Sequence, residues 1–156
     1  MTRWLDDEEM RAWRNLIEVI SDVKASLDAE LLDAHGITEG DYGVLVSLSE
    51  APGHAMRMCD LAGLLRLSPS GLTRRLDGLV REGYVARRPA CDDRRVTLAV
   101  MTPDGMALLR AAAPLHVDGV RRHLIDLLSR TQIRQLGASF ASLSRKRRAL
   151  APSSDA

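Results

Sequence analysis

Cysteine, lysine and aromatic residues are all scarce in this sequence of 156 residues. Its two cysteines, Cys59 and Cys91, are too few for a disulfide framework, which favours a protein of a reducing compartment. Aromatic residues make up 3% of the chain and hydrophobic residues 46%. The core must therefore consist mainly of aliphatic side chains, a composition that suits packed helices better than a β-sandwich.

Long apolar runs and the common catalytic motifs are also missing. No run of about 18 apolar residues is present, and the segment after Met1 turns acidic at Asp6, where a signal peptide would be apolar. We therefore expect a cytoplasmic protein without a membrane segment. Phosphate-binding glycine loops, nucleophile elbows and HExxH motifs are absent, and the four histidines lack metal-ligand spacing. We expect neither an enzyme nor a protein that needs a metal or another cofactor.

Positive charge is concentrated in the middle and at the end of the chain. Residues 1–56 contain four basic and twelve acidic side chains, residues 57–95 nine and five, and residues 96–156 nine and four. Nearly all the basic residues are arginines, which pair with phosphates and guanine edges better than lysines do. Codon bias explains the choice of arginine equally well, but it does not explain the clustering.

The spacing of apolar residues predicts six helices and a mostly α fold. The first is long and ends at Gly36, and the second is capped by Thr38 with Asp41 three residues later. A short third helix covers about Asp60 to Leu65, with Cys59 at its N-cap. A fifth helix starts at Thr102-Pro103 and extends to Leu128 with a kink or break before Pro114, and Thr131 caps the sixth.

The fourth helix and the segment after it carry the most specific pattern. Ser68 and Pro69 are typical of an N-cap and first helical position, Leu72, Leu76, Leu79 and Val80 form the buried stripe, and Gly83 ends the helix. Two β-prone segments follow, Tyr84–Arg88 and Arg95–Met101, and predict a hairpin. This order of a short helix, a second helix and a basic hairpin is that of a winged helix-turn-helix.

A helix that approaches base edges needs small or hydrogen-bonding residues at its leading end. We therefore predict a recognition helix whose DNA-binding residues are Ser68, Pro69, Ser70, Gly71, Thr73, Arg74 and Arg75. Arginines are also crowded on the hairpin, which has little core of its own, so that phosphate attraction accounts for them better than folding does. The predicted wing contacts are Arg87, Arg88, Arg94 and Arg95.

The sequence resembles the MarR (multiple antibiotic resistance regulator) family through four segments: Leu61–Leu65, Ser68–Asp77, Gly83–Arg88 and Asp92–Arg95. The junction Met101–Gly105 also matches that family. The resemblance implies a homodimer on a pseudo-palindromic operator, with recognition helices in successive major grooves. It also implies that Arg95 enters the minor groove, that Asp93 orients it, and that Arg94 contacts phosphate.

The expected organisation is a single domain over residues 1–149, with a DNA-binding lobe at about 38–101, dimerisation helices at about 5–35 and 103–149, and a disordered tail at 150–156. Apolar residues at both chain ends, such as Trp13 and Phe140, are too numerous for one winged module to cover, which favours a dimer. The resemblance implies a small-molecule effector pocket, for which the candidates are Trp13, His35 and Tyr42. Redox sensing through Cys59 or Cys91 is an alternative use of the thiols.

Two function classes remain at this point. One is a sequence-specific, ligand-responsive repressor of transcription that binds double-stranded DNA. The other is a winged-helix module that binds a protein partner and no specific DNA. The arginines of the hairpin favour the first class.

Overall fold

The computed structural model describes residues 1–90, 93 and 95–150. Along the chain the regular elements are α1 (Asp7–His35), α2 (Glu39–Glu50), β1 (Ala55–Arg57), α3 (Met58–Leu64), α4 (Pro69–Arg81), β2 (Val85–Pro89), β3 (Thr97–Met101), α5 (Pro103–His123) and α6 (Arg130–Leu150). Short 3-10 turns lie at Pro52–His54 and Ile125–Leu127.

The helix ends follow the predicted caps in most places. Gly36 ends α1 in the left-handed conformation, with φ 68°, which glycine adopts at little cost. Thr38 and Asp41 form a capping box at the start of α2, and the Ser68 hydroxyl accepts a hydrogen bond from the Gly71 amide at the start of α4. These local hydrogen bonds satisfy amides that the helix itself leaves unpaired.

Three predicted caps or bounds were wrong. Arg57, not Cys59, precedes α3, so Cys59 lies inside the helix and its side chain is exposed. Ser129 takes the place predicted for Thr131, since its hydroxyl accepts from the Gln132 amide at 3.3 Å. The helix α5 runs unbroken through Pro114 but ends at His123 rather than near Leu128.

The core is aliphatic and joins the middle helices to the sheet. Fully buried leucines of α2 and α3 contact the buried face of α4, and Ala99 of β3 and Leu109 of α5 extend the same cluster. Its buried members from α2, α3 and α4 are Tyr42, Val44, Leu45, Leu48, Leu61, Ala62, Leu72, Leu76 and Leu79. Burial of this stripe determines which face of α4 turns outward.

The sheet has three antiparallel strands in the order β1-β3-β2. The predicted hairpin is therefore present, but the sequence pattern missed β1, which pairs Ala55 with Val100 and Arg57 with Leu98. Neighbouring strands place Arg88 opposite Leu98 and Arg87 opposite Ala99. Since side chains alternate along a strand, Arg87 lies on the face of buried Ala99, and Arg88 lies on the other face.

The chain divides into two compact units, Met1–Gly119 and a second that begins at Val120. No helix in the described ranges is both long enough and apolar enough to cross a membrane. The assignment of a single domain with dimerisation helices at both ends stays a prediction. Of the predicted disordered tail at 150–156, Leu150 instead ends α6, and residues 151–156 lie outside the described residues.

Leu76→Ala should destabilise the protein by about 2–5 kcal/mol, because it opens a cavity where the side chain is 0% exposed. The matched control is Leu64→Ala on the neighbouring helix, where the leucine is 58% exposed and the change should stay within about 0.5 kcal/mol. Urea unfolding at one protein concentration measures both values. Equal midpoints for the two variants would contradict the described core.

Candidate nucleic-acid interface

The leading end of α4 is exposed and polar. Ser68, Pro69, Ser70 and Thr73 are exposed, while Gly71 is half-buried beneath the Ser68 hydroxyl. The Ser68 and Ser70 hydroxyls lie 3.2 Å apart. Such an end offers hydroxyl groups together with the positive pole of the helix, both of which suit base edges and phosphates.

The two adjacent arginines of α4 have different surroundings. Arg74 is exposed, and none of the described residues forms an ion pair or a side-chain hydrogen bond with it. Arg75 turns towards α2, where its Nη1 donates to Thr38 Oγ1 at 3.2 Å and lies 3.6 Å from Asp41 Oδ1. Of the two, Arg74 has its guanidinium available to a ligand.

Arg87 of β2 connects the wing, which is the hairpin of β2 and β3, to α4. Its Nη2 donates to Asp77 Oδ1 at 2.8 Å and to the Thr73 carbonyl oxygen at 3.1 Å. Arg88 is exposed on the other face of the sheet, and its side chain forms no hydrogen bond or ion pair with any described residue. The predicted pair of wing arginines therefore divides into one that connects two elements and one that faces outward.

Asp93 and Arg95 are held together at the wing tip. The Arg95 amide donates to Asp93 Oδ1 at 2.9 Å, and its Nε donates to the same oxygen at 3.2 Å. These two hydrogen bonds, with the charge of Arg57 in support, hold the pKa of the Asp93 carboxyl below its ordinary value of 3.8. The side chain of Arg95 is still 92% exposed, so an oriented guanidinium projects from the tip. Arg94, predicted to lie beside it, is outside the described residues.

Arg57 is a candidate that the sequence pattern missed. It precedes α3 and ends β1, and its register partner Leu98 is also the partner of Arg88. Arg57 and Arg88 therefore lie on the same face of the sheet, on either side of Leu98. The sequence signal was weak because three strand residues show no clear alternation.

The three candidate effector residues do not meet. Trp13 and His35 lie 22 residues apart on the continuous helix α1, a separation of about 33 Å at 1.5 Å per residue. His35 lines a cleft of about 390 Å³ together with residues of α2 and α4 and Tyr84. Tyr42 instead stacks on His116, with 4.3 Å between ring centroids, and its burial raises the pKa of the phenol above 10.0.

Metal ligands do not cluster in the part of the chain that the structure describes: no three His, Cys, Asp or Glu side chains there could hold one ion. Cys59 is exposed beside Asp60, 3.5 Å from its carboxylate, and Cys91 lies outside the described residues.

Comparison with known proteins gives consistent matches. Residues 37–97 match the MarR family. The HTH-type transcriptional repressor YetL of Bacillus subtilis is 30% identical over 112 residues, which cover 70% of this chain and 67% of YetL. The matches to several other curated regulators span about half of those proteins' length.

Two solved structures from Streptomyces coelicolor, both MarR family transcriptional regulators, are similar over nearly the whole chain. AbsC is 38% identical with a TM-score of 0.85, covering 95% of this chain and 99% of AbsC. Sco3205, solved in complex with DNA, is 34% identical with a TM-score of 0.88, covering 98% of this chain and 94% of Sco3205. The predicted fold class, a mostly helical winged helix-turn-helix with a small sheet, is confirmed.

Arg95→Ala should raise the pKa of Asp93 towards 3.8, because it removes the side-chain hydrogen bonds that favour the carboxylate. In the unchanged protein the pKa is depressed, so the ion pair persists at neutral pH and is lost only as the pH falls through that lowered value. NMR titration of the carboxyl carbon measures both proteins, and Arg88→Ala on the same wing is the control that should leave Asp93 unchanged. An Asp93 that titrates at 3.8 or above in the unchanged protein would disprove the described pairing.

Proposed function

The chain belongs to the MarR family of transcriptional regulators, and on that basis we propose that it is a repressor that binds double-stranded operator DNA as a homodimer. The observation that carries the proposal is the exposed polar end of α4, with Arg74 unpaired among the described residues while the adjacent Arg75 contacts Thr38 and Asp41. The relatives are transcriptional regulators rather than enzymes, so the proposed role involves no catalysis. We place it in the cytoplasm, where the DNA is.

In this proposal α4 enters the major groove with its N-terminus first. Ser68, Ser70 and Thr73 hydrogen-bond with base edges or phosphates, and Pro69 and Gly71 allow close approach because they are compact. Arg74 lies one turn into the helix and reads a guanine or holds a phosphate. The helix dipole adds attraction to the backbone.

The wing extends the contact to the adjacent minor groove. Arg95 supplies the inserted guanidinium, and Asp93 restricts its rotation before DNA arrives, which lowers the entropy lost on binding. Arg88 and Arg94 contact phosphates. Arg87 stabilises the position of the wing against α4 through its ion pair with Asp77. Arg57 adds one more cation on the face of Arg88.

The homodimer follows from apolar side chains that the single chain leaves exposed. On α1, Trp13 is 53% and Ile17 45% exposed, and on α6, Phe140 is 41% and Leu143 49% exposed. No residue of α6 is buried. Burial of such side chains by a second copy is worth about 25 cal/mol per Å². Binding to successive major grooves requires the two copies of α4 to lie about 34–36 Å apart.

Regulation by a small molecule forms part of the same proposal. A ligand that binds the dimer more tightly at one spacing of its two α4 helices than at another increases the population of dimers with that spacing. His35 and its cleft beside α4 are the better candidate site, since Tyr42 is engaged with His116 and Trp13 is distant on α1. The affinity for the effector is measured with and without DNA, and the affinity for DNA with and without the effector. If the two sites are coupled, both affinities change by the same factor.

The DNA-binding proposal and the protein-docking alternative differ in salt dependence. We propose fluorescence anisotropy with duplexes that the protein selects from a randomised library, repeated over a salt series. A DNA-binding repressor shows log K that falls linearly with log salt. Absent or salt-independent binding would favour a module that docks another protein.

Arg74→Ala should weaken the binding free energy for the selected duplex by about 1–3 kcal/mol. The loss should be smaller on a duplex in which the base pair contacted by Arg74 has been changed. Arg95→Ala should lower the salt slope by roughly 1. Arg81→Ala, at the far end of the same helix and paired with Glu82, is the matched control and should retain the original affinity. If Arg74→Ala weakens binding equally on every sequence, Arg74 contacts phosphate and the assigned base reading is wrong.

A further inference from the structure

The side chain of Arg75 is committed to the protein rather than to solvent. Its Nη1 lies 3.2 Å from Thr38 Oγ1 and 3.6 Å from Asp41 Oδ1. The Arg75 side chain is 31% exposed and that of Asp41 21%. A charge-assisted contact at this burial is stronger than one on an open surface.

The partners of Arg75 are themselves fixed by the capping box of α2. Asp41 Oδ2 accepts from the Thr38 amide at 3.0 Å and from the Thr38 hydroxyl at 2.6 Å, while that hydroxyl accepts from the Asp41 amide at 3.1 Å. With the bond from Arg75, the hydroxyl uses its one donor and both acceptor positions. The guanidinium therefore completes a site that no other described group fills.

Gly40 makes the room that this contact needs. A Cβ at position 40 would lie 1.9 Å from Arg75 Nη1 and 2.4 Å from its Cζ. Gly40 is not among the glycines with positive φ, so the backbone there accepts alanine without strain. The glycine is needed for the space that the guanidinium occupies, because any larger residue must push Arg75 away.

The same polar network reaches α1. Asp28 Oδ1 accepts from the Glu39 amide at 2.8 Å, in the first turn of α2. Because Glu39 follows Thr38 in the chain, the contacts of Asp28, Thr38, Glu39, Asp41 and Arg75 together link α1 to α4 through the start of α2, and they are here called the α1–α4 bridge.

We propose that Arg75 is a positioning residue, which fixes α4 against α1 and α2 through the α1–α4 bridge and does not itself contact DNA. To reach a phosphate, Arg75 would have to leave Asp41, whose Oδ1 would lose its positive partner in a half-buried place. Held as it is, Arg75 sets the angle at which Ser70, Thr73 and Arg74 leave the protein surface. This inference rests on the proposed DNA binding. It assigns the DNA contact to Arg74 and the positioning of α4 to Arg75.

Gly40→Ala and Arg75→Ala test the proposal, with Gly43→Ala as the matched control. Gly43 lies in the same helix, and a Cβ there would meet nothing within 4 Å. Gly40→Ala retains every cation but displaces Arg75. We expect both Gly40→Ala and Arg75→Ala to weaken binding to the selected duplex on the order of tenfold, with an unchanged salt slope, and the double variant to be no weaker than Arg75→Ala. Gly43→Ala should bind as the unchanged protein does.

Other outcomes would overturn the proposal. Arg75 contacts phosphate if Arg75→Ala lowers the salt slope by roughly 1 and weakens a random-sequence duplex as much as the selected one. Unchanged affinity of Gly40→Ala would also contradict positioning.

A measurement on the free protein separates this inference from the proposed function. Hydrogen exchange of the α4 amides should be faster in Gly40→Ala and Arg75→Ala than in Gly43→Ala, because the bridge no longer restrains the helix. If the unchanged protein binds no duplex at low salt, the proposed function fails, and the exchange rates alone decide the positioning role. Equal exchange in all three variants refutes it.

Discussion

The buried leucine face of α4 fixes the orientation of this helix and of the elements packed around it. Leu72, Leu76 and Leu79 are at most 3% exposed, and burying each leucine contributes about 1.5–3 kcal/mol relative to leaving it in water. That gain anchors the helix to α2, α3 and the sheet. Because side chains of an α-helix recur every 3.6 residues, the same anchoring leaves Ser70, Thr73 and Arg74 on the open side.

The arginines around α4 divide according to this geometry. Position 75 is three residues after Leu72 and four before Leu79, so Arg75 flanks the buried stripe and turns inward to Thr38. Arg87 shares the buried face of its strand with Val85 and reaches back to Asp77. Arg74, Arg88 and Arg95 project outward. Among these described arginines, two connect α4 and the wing to their neighbours, and three face solvent, where the proposed DNA would bind.

Most of the fold could be predicted because caps and apolar periodicity are local signals, as at Gly36, Thr38 and Ser68. The resemblance to the MarR family, carried by α4 and the wing, was confirmed. The pattern missed β1, since three residues are too few for alternation to show, and mistook Cys59 and Thr131 for caps that Arg57 and Ser129 provide. Charge alone does not separate Arg75 and Arg87 from their neighbours, whereas in the structure Arg75 contacts Thr38 and Arg87 contacts Asp77. The three candidate pocket residues, Trp13, His35 and Tyr42, stay a prediction, and the first two lie far apart on the continuous helix α1.

In the proposed complex, two copies of α4 enter successive major grooves of one duplex, with a wing on either side. Hydroxyl-radical footprinting on a duplex that the protein selects from a randomised library measures this arrangement along the DNA. We expect a two-fold symmetric pattern in which protected patches repeat at about one helical turn, 10–10.5 base pairs, with protected minor groove at both flanks. A single asymmetric patch, or uniform protection of the whole duplex, would contradict it.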